Sequence, residues 1–238
     1  MVKPRRRAPR DTRKFYTILG AIGIVGVLVI TYAAMRSDSP VATAVDPTAL
    51  TGPAEGYVMG SPTAPVEIME YGDFECGACA QFAIVTEPQV RELLVQTGKA
   101  RFRFFDFPLQ MHPNSIPAHL AAACANDQGK FWEMHDRLFQ NQHKWNGTVT
   151  RKPGSLFESY AREIGLDAKA WENCFEDRRH LPRIQASIAQ GGRLRVGSTP
   201  TFIVGGKMLP GALGYDQLKA LVDSATAQLK NEKPVIGQ

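Results

Sequence analysis

The chain is short of the residues that bind or transfer things. In 238 residues it has four cysteines and five histidines. Only one Cys-x-x-Cys pair occurs, Cys76 and Cys79. Tetrahedral zinc commonly draws on two such pairs. The remaining cysteines, Cys124 and Cys174, are isolated and each falls within a helical pattern, so no metal site is expected. Net charge beyond the N-terminal tail is small too. Seven basic residues and Asp11 put +6 before residue 15, which leaves −1 for the rest of a chain whose net charge is +5. Without a basic domain, nucleic-acid binding has little support. There is no internal repeat.

One long uncharged apolar run is present, Phe15 to Met35, 21 residues. At 1.5 Å per residue it reaches about 31 Å as a helix, enough for a bilayer core. The basic tail before it predicts an N-terminus on the cytoplasmic side and everything after residue 36 outside. A cleavable signal peptide is the alternative, with Ala42-Thr43-Ala44 as its cleavage site. The run is longer than a signal h-region and that site lies well downstream, which favours a retained single-pass anchor. Either reading exports the remainder to the periplasm or extracytoplasmic space, where disulfides persist. The expected plan is a cytoplasmic tail over 1–14, an anchor over 15–35 and a linker over 36–56, rich in Pro, Ala, Thr and Gly.

The chemistry concentrates in Val66 to Phe82. Val66, Ile68, Met69 and Tyr71 form an apolar run between Pro65 and Gly72, a strand signal. Ala80, Phe82, Ala83 and Val85 then open a helix. Cys76 falls at the N-terminus of that helix, where unpaired N–H groups and the helix dipole stabilise a thiolate. The thiolate is the attacking species in thiol–disulfide exchange, and such placement lowers its pKa. Cys76 is the expected nucleophile. Cys79, one turn on, is the expected resolving thiol, and the pair is its own redox centre without a bound cofactor. Pro88 predicts a kink, or a restart with Thr86 as cap.

Arg101 to Phe107 reads as the next strand, giving β-α-β. A helical tract follows, with Gly129, Gly165 and Gly191-Gly192 as breaks, a capping-box signal at Ser155 to Glu158, and Asp167 as a further cap. Thr201 to Val204, Gly205-Gly206 and Lys207 to Leu209 form a hairpin, and a helix carrying Leu218, Val222 and Ala225 ends the chain. Cys124 and Cys174 are either two buried small residues or a structural disulfide between two helices; an exported setting favours the disulfide. The five histidines read as loop or packing residues. His112, after the second strand, is the one placed near the site.

The order β-α-β, helical block, β-β-α resembles a thioredoxin-like α/β fold with an inserted all-helical subdomain. The resemblance is to the DsbA-like thiol–disulfide oxidoreductases, in particular their membrane-anchored bacterial BdbD-like branch. It rests on Gly60-Ser61-Pro62-Thr63-Ala64-Pro65-Val66, Asp73-Phe74-Glu75-Cys76-Gly77-Ala78-Cys79, Gly129-Lys130-Phe131-Trp132-Glu133-Met134-His135 and Val196-Gly197-Ser198-Thr199-Pro200-Thr201-Phe202. It implies a thioredoxin-like domain over 57–111 and 193–238 with the insertion over 112–192. It implies a cis Thr199–Pro200 bond facing the cysteines, with Thr199 and Pro200 contacting substrate. The implied activity is the introduction of disulfides into reduced or unfolded exported proteins. The implied partner is a membrane quinone-linked protein, DsbB-like or of the vitamin K epoxide reductase type. Reductase or isomerase use of the same site is the first alternative, and a non-redox peptide-binding module the second.

Two features qualify the resemblance. The dipeptide Gly77-Ala78 has no side chain to donate to Cys76, so helix dipole and backbone N–H groups are expected to supply the stabilisation, with Glu75 opposing it and a less oxidising couple resulting. Enzymes of this fold often keep a buried acid beneath the cysteines. Glu67 and Glu70 lie in the right strand on alternate faces. Each is expected to face solvent, with one of them the candidate to take the Cys79 proton.

Overall fold

The computed structural model describes residues 12–35 and 42–232. It forms two units, 1–40 and 41–238. In the first, helix α1 runs Thr12–Met35. Its described side chains are 16–28 and 31. Among the described residues no helix is long and apolar enough to cross a membrane. Residues 1–11, most of the basic tail, lie outside the described residues.

In the second unit six strands form one sheet: β1 Thr43–Ala44, β2 Tyr57–Met59, β3 Val66–Gly72, β4 Ala100–Asp106, β5 Thr201–Val204 and β6 Lys207–Pro210, in spatial order β1-β6-β5-β3-β4-β2. β3 and β4 are parallel, with Val66 beside Ala100 and Gly72 beside Asp106. β5 runs antiparallel to β3, pairing Tyr71 with Thr201. Parallel pairing needs a crossover, supplied by a helical run over Gly77 to Val95. That run is α2 Gly77–Gln81, a wide π turn at Phe82–Thr86, α3 Glu87–Val90 and a second π turn at Arg91–Val95. Pro88 has no N–H and crowds the turn before it; widening that turn accommodates it. Thr86 makes no side-chain cap.

Between β4 and β5 lie α4 Ser115–Asn126, α5 Phe131–Gln140, α6 Gln142–Trp145, α7 Gly154–Glu163, α8 Ala168–Glu176 and α9 Leu181–Arg193. Asp167 caps α8 through Lys169 N and Ala170 N. The capping-box signal is overridden: α7 starts at Gly154 after Pro153, with no side-chain cap. Gly205 and Gly206, φ +55° and +73°, make the β5–β6 turn. There a Cβ on Gly205 would stand 2.8 Å from Ala225 Cβ on the last helix, α10 Tyr215–Glu232.

The core has two parts, one on each face of the sheet. Ile68, Phe102, Phe104 and Phe202 face the crossover helix and the helical block. Tyr71, Phe105, Phe107 and Ile203 face the other way. That second face is closed partly by the stretch read as a linker, which is a correction to the expected plan. β1 pairs with β6, and Val45, Ala49 and Leu50 pack on the second cluster. Gln190 donates to Leu50 O, Arg193 to Thr51 O and Arg183 to Glu55 O. Asp46 caps a short 3₁₀ turn over Pro47–Leu50. Residues 43–55 are therefore bound along the fold; 36–41 lie outside the described residues.

Candidate functional site: a thiol pair beside a cis-proline loop

Cys76 occupies the cap position at the start of α2, with extended backbone (φ −75°, ψ 124°). Its N–H donates to Asp73 O and its carbonyl takes the first helical bond, from Ala80 N. Cys79 is fully buried one turn on, while Cys76 keeps 8% of its surface. Both are free thiols. Thr199 and Pro200 arrive from the loop before β5, and the bond between them is cis. Cys76 Sγ donates to Thr199 O at 3.3 Å. The topology thus brings Cys76, Cys79, Thr199 and Pro200 together.

The two sulfurs are driven apart in acidity. The Cys76 thiol is lowered to about 5. The hydrogen bond from the Cys79 thiol is the largest cause; burial opposes it, and the Thr199 side chain and the N–H groups of Cys79 and Ala78 reinforce it. The Thr199 hydroxyl is buried without a partner among the described residues, free to turn to an ionised sulfur. The stabilisation therefore does not come from the backbone alone, as the Gly77-Ala78 dipeptide suggested. Cys79 is pushed up, first by burial, then by serving as donor to Cys76 and by the nearby Glu70 charge.

Glu70 is 1% exposed, which corrects the expectation that it faces solvent. Neither carboxyl oxygen has a partner among the described residues. Burial pushes its pKa well up, with Glu87 and Cys76 adding to the rise. Sequence parity carried the signal: Glu70 shares a strand face with the buried Val66 and Ile68. Glu67, on the other face, pairs with Arg101 and Arg103 at 2.6 and 2.9 Å.

Glu75 does not oppose the Cys76 charge at close range. Its carboxylate is turned into the helical block, where Asn114 N and Gly147 N donate to it at 2.6 and 2.5 Å. Asp73, fully buried, accepts from Glu75 N, Leu109 N, Ser115 Oγ and the His112 ring. His112 therefore meets the turn before the cysteines. Phe74 fills the space between, its ring against Phe104, Phe139 and His119. Sequence reading missed Asn114, Gln142 and Gly147 at this site because none is near it in the chain.

Cys124 on α4 and Cys174 on α8 are joined as a disulfide, Cα atoms 5.8 Å apart. His180 is their neighbour, with donor atoms within 4.8 Å. While the sulfurs are bonded to each other, neither offers a thiolate to a cation.

The thioredoxin family profile matches residues 53–224. The chain belongs to the thioredoxin family. It is 34% identical over 220 residues to the Na(+)/H(+) antiporter NhaA 1 of Salinispora arenicola, covering 87% of this chain and 32% of the antiporter. It thus spans about a third of the length of that relative. Disulfide bond formation protein D of Bacillus subtilis is 23% identical over 175 residues, covering 70% of this chain and 75% of that one. Among solved structures, oxidised BdbD from Bacillus subtilis covers 80% of this chain and all of its own, with a TM-score of 0.65 at 20% identity. Wolbachia pipientis α-DsbA1 covers 77% of this chain and 98% of its own, with a TM-score of 0.67 at 21% identity. These likenesses show the thioredoxin-like fold with its helical content.

Proposed function

We propose that the chain is a thiol–disulfide oxidoreductase that forms disulfides in exported proteins at Cys76 and Cys79. The observation that carries this reading is the split acidity of the pair: a cap-position thiol lowered to about 5 beside a buried thiol pushed up. In the oxidised enzyme a client thiolate attacks Cys76 Sγ and the Cys76–Cys79 bond breaks. Cys79 leaves as thiolate and takes a proton, for which Glu70 is the buried donor. The client's second thiolate then attacks the client sulfur of the mixed disulfide. Cys76 departs as a stabilised thiolate, the client holds a disulfide, and the enzyme holds two more electrons. A good leaving thiolate makes this direction favourable.

A membrane quinone-linked protein, DsbB-like or of the vitamin K epoxide reductase type, would return the pair to the disulfide. The uncharged run 15–35 behind a basic tail supports a single-pass anchor and an extracytoplasmic site. So does the relation to a segment of longer chains named as antiporters. The Gly77-Ala78 dipeptide favours a second reading, a less oxidising couple that reduces or isomerises. Equilibration with glutathione and oxidative refolding of a reduced client separate the two. The oxidase reading requires stoichiometric client disulfide from the oxidised protein, abolished by Cys76→Ser. Transfer at the rate of the Cys76→Ser protein would overturn it.

A further inference from the structure

The loop that carries Cys76 is held from outside the thioredoxin elements. Asp73 gathers donors from residues 109–115, and Glu75 takes its two N–H groups from Asn114 and Gly147. Those contacts end on side chains of the loop. Gln142, the first residue of α6, grips the main chain itself. Its amide donates to Phe74 O at 2.7 Å and to Cys76 O at 3.0 Å. No other side chain among the described residues bonds to the backbone of Cys76.

We infer that Gln142 is a positioning residue for Cys76, a bridge from the helical block that fixes the peptide groups on both sides of the Glu75–Cys76 unit. This rests on the reading of Cys76 as the reacting thiolate. The physical reason is geometric. Cys76 is the cap residue of α2 and has no side-chain cap bond of its own. Its carbonyl already takes the bond from Ala80 N at 3.0 Å, and Gln142 occupies the remaining acceptor direction. The chain is then held in front of the first helical turn as well as within it. The groups that stabilise the sulfur act only over short distances and at favourable angles. They are the Cys79 thiol, the Thr199 side chain and two backbone N–H groups. If the loop relaxes, the donors stay in place and the sulfur moves away from them.

The test uses the full-length protein, reduced, with Gln142→Ala, and with Gln142→Met as a variant that keeps the volume but has no donor. Gln128→Ala is the control. Gln128 sits in the same helical block and makes two bonds to main chain, donating to Asp167 O and accepting from Asp167 N, away from the cysteines. Ultraviolet thiolate absorbance against pH reads the sulfur directly. Removal of the Gln142 amide is expected to raise the Cys76 midpoint by about one pH unit, roughly tenfold less thiolate at a pH below both midpoints. The glutathione equilibrium should move tenfold in the same sense, about 30 mV. Gln128→Ala should move neither, although it also loses stability. Gln142→Met carries the test if Gln142→Ala does not fold. A folded Gln142 variant with the wild-type midpoint, or an equal shift in Gln128→Ala, would overturn the inference. A wild-type protein that exchanges no disulfides would instead overturn the proposed function, whatever the variants do.

Discussion

Reduction should make this fold pH-dependent in a way that oxidation does not. The oxidised pair has no thiol to titrate, in the folded or the unfolded chain. In the reduced protein Cys76 ionises at about 5 when folded and near 8.5 when unfolded. A lowered acid stabilises the fold above its unfolded pKa, and that stabilisation is lost as the pH falls through the folded value. The stability of the reduced form, less that of the oxidised form, must therefore rise between about pH 5 and pH 8.5. The full span corresponds to about 5 kcal/mol at 1.36 kcal/mol per unit. Cys76 meets solvent on one side, so screening brings this to roughly 2–3 kcal/mol. For a unit of this size that is about 5–10 °C in Tm. Above about pH 8.5 the sign turns. Cys79 is held neutral in the fold by burial, so its contribution is lost as the unfolded thiol begins to ionise. Thermal melts of both redox forms in steps from pH 4.5 upward would measure the difference, and Glu70, buried in both, largely cancels. A difference that stays flat from pH 5 to 8.5 would refute the claim that the fold stabilises this thiolate.

Three substitutions test the packing and the proton path. Glu70→Leu removes an unpartnered carboxyl from beneath Cys79 and should raise stability by about 1–3 kcal/mol, read by urea unfolding. The same change should slow attack of a client thiolate on the oxidised pair, the step in which Glu70 gives Cys79 its proton, by roughly tenfold or more at neutral pH, read by stopped-flow thiol exchange; an unchanged rate would remove Glu70 from the proton path. Replacing Cys124 and Cys174 together by serine opens a cross-link of sequence separation 50. It should cost about 4 kcal/mol on chain entropy while the Cys76 titration of the folded protein stays put. Gly147→Ala would place a Cβ 2.3 Å from Pro113 Cγ and 2.8 Å from Glu75 Oε1. The overpacking should cost about 1–3 kcal/mol in chemical denaturation.

What the chain discloses about itself is mostly local. The alternation of Val66 and Ile68, the Cys-x-x-Cys spacing and the Gly205-Gly206 turn each act within a few residues, and each could be read directly. Asp46-Pro47 carries a start signal for a short helical turn inside the stretch read as a linker; composition obscured it. Glu70 misled for a different reason. A carboxylate on an isolated strand belongs in water, but β3 has β4 on one side, β5 on the other and both faces covered.

The contacts that shape the turn before Cys76 lie beyond any local rule. Asp73, Glu75, Phe74 O and Cys76 O find partners 36 to 72 residues away, in loops whose own sequences are ordinary. Two acidic residues flanking Phe74 look, in isolation, like an electrostatic obstacle to a thiolate. Once the loop after β4 and the helical block supply donors to both, each carboxylate becomes a tie. Fully bonded buried carboxylates fix a backbone more firmly than apolar packing would, because displacing either one leaves an uncompensated charge. The inserted helices thus share in shaping the turn that carries Cys76. A helical block swapped for one lacking the donors of Asn114, Gln142 and Gly147 should leave the cysteines in place on their helix, with a sulfur that titrates closer to an ordinary thiol.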